Sequence, residues 1–99
     1  MATSKIPKRA GSLYREEIQI ASNLTIAANA VLGATQSVNA AKDGYRPLAI
    51  ASTKSNSNQI NVMRCEINDR GVIYARVSNL SSTQITGVTL SAIVLYEKL

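Results

Sequence analysis

Val88-Thr-Leu-Ser-Ala-Ile-Val-Leu-Tyr-Glu-Lys-Leu99 is the stretch whose reading decides the fold. Val88, Leu90, Ala92, Val94 and Tyr96 recur at every second position, the period of a strand with one buried face. Ile93 and Leu95 fall on the opposite face. An isolated sandwich strand keeps one face wet, so a second face that turns apolar predicts contact with another surface. Ile93 and Leu95 are therefore the candidate subunit interface.

Working back from this strand, short apolar segments recur from about residue 14, separated by Gly, Asn, Ser and Asp clusters. That rhythm predicts an all-β, antiparallel, jelly-roll-like sandwich. Gly87 opens the last strand, and Asn79 to Thr86 is a mostly polar loop. Gln59 to Ile67 and Val72 to Ser78 form a hairpin around Asn68-Asp-Arg-Gly71. In the first of these strands Ile60, Val62 and Arg64 share one face and Met63, Cys65 and Ile67 the other. Tyr45 to Thr53 is a strand after the turn Lys42-Asp-Gly44, with Pro47 restricted to an edge or a strand start. Lys54 to Asn58 reads as a polar loop.

Ala21 to Ala41 reads two ways. Leu24-Thr-Ile-Ala-Ala-Asn-Ala-Val-Leu32 has helix propensity and apolar spacing that a helix could use. The strand reading pairs Leu24–Ile26 with Ala34–Val38, with Asn29 and Gly33 turning the chain between them. Tyr14 to Ile20 is a strand. Residues 1–13 form a flexible basic arm and 14–99 a single sandwich domain.

Ninety-nine residues make one domain, which buries only about 60–65% of its unfolded surface. With four Tyr and no Phe or Trp, the core is built from Val, Ile, Leu and Ala, which bury less area than rings do. No disulfide assists, because Cys65 is alone; it reads as a small buried hydrophobe rather than a reactive thiol. Self-association is the expected extra source of stability. No segment reaches the roughly 20 apolar residues of a membrane helix. The first residues carry bases but no apolar stretch behind them, so no secretory signal is read there.

The net charge of +5 is uneven. Lys5, Lys8 and Arg9 lie in the first ten residues without an acid. This arm is a candidate docking segment for a protein surface, and nucleic acid is the less favoured partner. His is absent, which removes the commonest general base and metal ligand. A single Cys excludes zinc-finger spacing, and neither a Gly-x-Ser-x-Gly elbow nor a phosphate-binding loop occurs. Glu16 and Glu17 are adjacent and point to opposite faces of a strand, so they make a poor acid–base pair. The expectation is a non-enzymatic protein with no cofactor or metal. Tyr74 and Arg76 share a strand face but make no aromatic–basic stripe of the kind that binds single strands. Tyr45, Arg46, Asn56, Asn58 and Gln59 are candidate exposed binding-loop residues for a sugar.

Taken in order, Asn23-Leu-Thr-Ile-Ala-Ala-Asn-Ala30, Ala41-Lys-Asp-Gly-Tyr-Arg-Pro-Leu-Ala-Ile-Ala51, Val77-Ser-Asn-Leu-Ser-Ser82 and Val88 to Tyr96 resemble the small β-sandwich modules at the tips of tail proteins in phages of Gram-positive bacteria. The resemblance covers about three quarters of the chain. It implies an antiparallel sandwich, a virion location, a tail-fibre or baseplate role in receptor binding, and a homotrimer. Other virion proteins would hold the arm, and a host cell-surface glycan would be the outward partner. A carbohydrate-binding module or a capsid decoration protein is the alternative. The resemblance carries no catalytic residue.

Overall fold

The computed structural model describes residues 13–32 and 35–99. Six strands form: β1 Leu13–Ile26, β2 Gln36–Asn39, β3 Tyr45–Ser55, β4 Ile60–Ile67, β5 Val72–Asn79 and β6 Ile85–Lys98. They make two antiparallel three-stranded sheets, ordered β1-β6-β3 and β2-β5-β4. The first strand pairs with the last and the second with the fifth, while β3 and β4 lie at the fold-back. This is a chain doubled over and rolled up, the jelly-roll pattern in six strands.

Alternation builds the core as the sequence requires. Val88, Leu90, Ala92, Val94 and Tyr96 of β6 are all buried, and Ile73, Ala75 and Val77 of β5 meet them from the other sheet. Ile20, Ile26, Ala40 and Ile60 complete the buried set. The radius of gyration, 16.1 Å, exceeds the roughly 13 Å of a round domain this long. The molecule is therefore a long, thin sandwich with two well-separated poles.

The β4–β5 hairpin forms as expected. Asn68 Oδ1 accepts the amides of Arg70 (2.9 Å) and Val72 (3.0 Å), the Asx-turn geometry. Gly71 has φ +87, and a Cβ there would lie 2.8 Å from Ala41 Cα, so only glycine fits. Pro47 sits near the start of β3, an edge strand.

Five expectations need correction. Leu24–Ile26 does not turn back on Ala34–Val38: Leu24 and Ile26 pair with Val88 and Ile85, and β2 pairs with β5. Three register shifts and a left-handed Asn23 (φ 58) carry β1 onward, and each bulge resets the two-residue period that a sequence reading follows. The helical alternative also fails, because Asn29 has φ 54, which a right-handed helix forbids. Gly33 and Ala34 lie outside the described residues. Along β4 a register shift between Val62 and Arg64 exposes Met63 and Arg64 and turns Cys65 and Ile67 toward the core, so the inward set changes from even to odd. The polar loop begins later than expected, since β3 runs through Ser55, and Leu13 belongs to β1 rather than to the arm.

Candidate functional site

One pole gathers both ends of the described chain. Leu13 pairs with Glu97 and Tyr45 with Lys98, so the strand that opens the fold and the strand that closes it finish side by side. Tyr14, Tyr45 and Tyr96 cluster there with ring centroids 5.3 to 6.2 Å apart. Tyr96 is 0% exposed, and its hydroxyl donates to the Ala40 carbonyl at 2.7 Å. The Lys42 ammonium lies 5.1 and 5.5 Å from the Tyr14 and Tyr45 centroids, within cation–π range, and 3.4 Å from Glu16 Oε1. Desolvation works to lower the Lys42 pKa, but the Glu16 carboxylate, with Tyr14 and Tyr45 adding to it, carries it above its ordinary value. Burial raises the Tyr96 phenol; the charge of Glu16 adds to this and that of Lys42 opposes it.

The opposite pole is tied together by Asn79, which is 2% exposed. Its Nδ2 donates to the carbonyls of Ile26 (3.0 Å), Ala27 (3.2 Å) and Thr83 (2.8 Å), and its Oδ1 accepts the Ser81 amide (2.8 Å). Ser81 Oγ in turn accepts the Thr83 amide at 2.8 Å. Residues 79–86 are thus an internally bonded corner. Asn79 was legible in one respect: it continues the inward series 73, 75, 77, where a polar side chain must find partners.

The sequence-predicted binding residues are divided between the poles. Tyr45 and Arg46 stand at the start of β3, where Arg46 forms an ion pair with Glu97. Asn56, Asn58 and Gln59 follow its far end, about 30 Å away at the rise of a strand. Asn56 is occupied structurally: its Nδ2 donates to the Gly87 carbonyl (2.9 Å) and its Oδ1 accepts the Thr89 amide (3.0 Å). Asn58 and Gln59 are exposed. Lys5, Lys8 and Arg9 lie outside the described residues.

Ile93 and Leu95 are half-buried on the outer face of the β1-β6-β3 sheet. Leu95 lies between Arg15 and Ala49, and Ile93 between Glu17 and Ser52. The Glu17–Lys54 ion pair (3.4 Å) joins the two outer strands across β6 beside Ser91 and Ile93. Grooves of 180 to 300 Å³ along this face stand at or below the roughly 300 Å³ at which small-molecule sites begin. Burial pushes the Cys65 thiol pKa up and the neighbouring Glu66 charge adds to it, which disfavours the reactive thiolate. Among the described residues no three His, Cys, Asp or Glu side chains gather to hold a metal, and no helix is long and apolar enough to cross a membrane.

No protein-family model, curated protein or solved structure matches this chain.

Proposed function

We propose that this chain is a non-enzymatic structural and interaction protein of a bacteriophage particle, a small tail or baseplate component that assembles as a homotrimer. The observation that carries the reading is the outer face of the β1-β6-β3 sheet. Ile93 and Leu95 stand at its centre, and among the described residues their neighbours in the register are those of the two flanking strands. An apolar centre rimmed by Arg15, Glu17 and Lys54 has the make-up of a protein contact, apolar within and charged around. Leu13, the first described residue, lies at the same pole as the end of β6, so an arm carrying Lys5, Lys8 and Arg9 would tether that pole to a larger assembly and leave the other facing the host.

Light scattering on the full chain tests the assembly. The expected mass is that of three chains, and Ile93→Asp should reduce it to one; a wild-type monomer overturns the reading. Deleting residues 1–12 tests the tether, with loss of incorporation into particles expected and an unchanged fold by circular dichroism. A capsid-decoration role shares the oligomer and the arm, and immunogold labelling of head against tail separates the two.

A further inference from the structure

Residues 18–41, 55–63 and 77–96 contain no Asp, Glu, Lys or Arg, and the chain has no His. The fold brings the uncharged turns of all three segments to the pole opposite Leu13 and Leu99. The Asn29 amide donates to the Ser81 carbonyl (2.9 Å), the Asn79 amide to the Ala30 carbonyl (2.8 Å) and the Leu80 amide to the Gln59 carbonyl (2.9 Å). Around these joints stand the exposed side chains of Asn29, Val31, Asn58, Gln59, Leu80 and Ser82. Leu80 is 67% exposed and Val31 44%, so apolar surface alternates with amides and hydroxyls.

We infer that this pole is a binding face for an uncharged glycan. A neutral sugar offers hydroxyl groups that both donate and accept, together with C–H faces that are apolar. Amide side chains match the first, since each carries donors and an acceptor, and Leu80 and Val31 match the second. An anionic polymer would need cations to release its counterions; the described turns of this pole carry none, and the nearest, Lys54 on β3, is paired with Glu17. The Asn79–Ser81–Thr83 bonds hold the loops in place before any ligand arrives, which lowers the ordering cost of binding. The inference deepens the host-facing part of the reading above and rests on it.

The test is an array of neutral and acidic glycans probed with the full-length chain at low and at high salt. Retention of neutral glycans that salt does not weaken is expected. Leu80→Ser and Asn29→Gly, the latter compatible with the left-handed backbone there, should each weaken it at least about tenfold, with the thermal melt and solution mass unchanged. Three results overturn the inference: no neutral glycan retained, retention confined to acidic glycans and lost at high salt, or retention that both substitutions leave intact. Mass and particle incorporation are measured on the same samples. A chain that assembles and enters particles without retaining glycan sinks this inference alone, and one that binds glycan as a monomer sinks the assembly reading alone.

Discussion

Asn79 donates to three carbonyls and accepts one amide from a buried position. Asn79→Ala would strand several of these groups away from water, where each unsatisfied one costs about 1–3 kcal/mol. A loss of about 3 kcal/mol in urea denaturation is expected, against at most about 0.5 kcal/mol for the exposed Ser82→Ala. Tyr96 makes a pH-dependent prediction. Its folded pKa is raised above an unfolded value of about 10, so the folded protein holds the phenolic proton more tightly. The stability this contributes is whole below about pH 10 and is lost as pH rises through the folded value. Denaturation midpoints should therefore fall above about pH 10, and Tyr96→Phe should remove part of that fall. The same substitution costs about 1–2 kcal/mol at neutral pH by leaving the Ala40 carbonyl unpaired. Cys65, with its raised thiol pKa, should react with alkylating reagents at pH 8 far more slowly in the native protein than in urea.

Among the turns, two glycines separate backbone strain from steric fit. Gly44 (φ +81) has nothing within 4 Å of an added Cβ, while Gly71 (φ +87) would drive that atom into the Ala41 backbone. Gly44→Ala should cost about 1 kcal/mol for its left-handed conformation, and Gly71→Ala distinctly more because the β4–β5 turn must also move. Equal losses by thermal melting would contradict this account. Elements without bulges were legible in the sequence: the inward face of β6, β5 from Val72 to Ser78 though not the buried Asn79 that ends it, and the turns at Lys42–Gly44 and Asn68–Gly71. Legibility failed where a bulge intervened. At Asn23 the period restarts and a continuous β1 resembles two pieces, while at Met63 the two faces of β4 exchange. Nor does a two-residue period specify pairing, so the union of β1 with β6 is visible only in the folded structure. The candidate site was partly legible for a related reason. Asn58 and Gln59 belong to the uncharged pole as exposed residues, but their junction with Asn29 and Leu80 depends on contacts between segments distant in sequence.

Over the molecule as a whole, the carboxylates of the strands are largely neutralised within the chain. Glu16, Glu17, Glu66 and Glu97 each pair with a Lys or Arg. These pairs are at the surface, where each contributes about 0–1 kcal/mol, so Glu17→Gln should leave the urea midpoint nearly unchanged. Ile93→Asp should reduce the solution mass and lower the melting midpoint to a value that no longer depends on protein concentration, because assembly adds to stability by mass action. The two readouts separate packing from assembly. The doubled-over topology also has a consequence in time. Leu13 finds its partner only at Glu97, so β1 leaves the ribosome long before the strand that will hold it has been synthesised. Contacts this distant close slowly, and the sheet that buries Tyr96 waits for β6 to emerge. A chain stalled before residue 85 has made the β4–β5 hairpin and lacks every residue that fills the space between the sheets from β6.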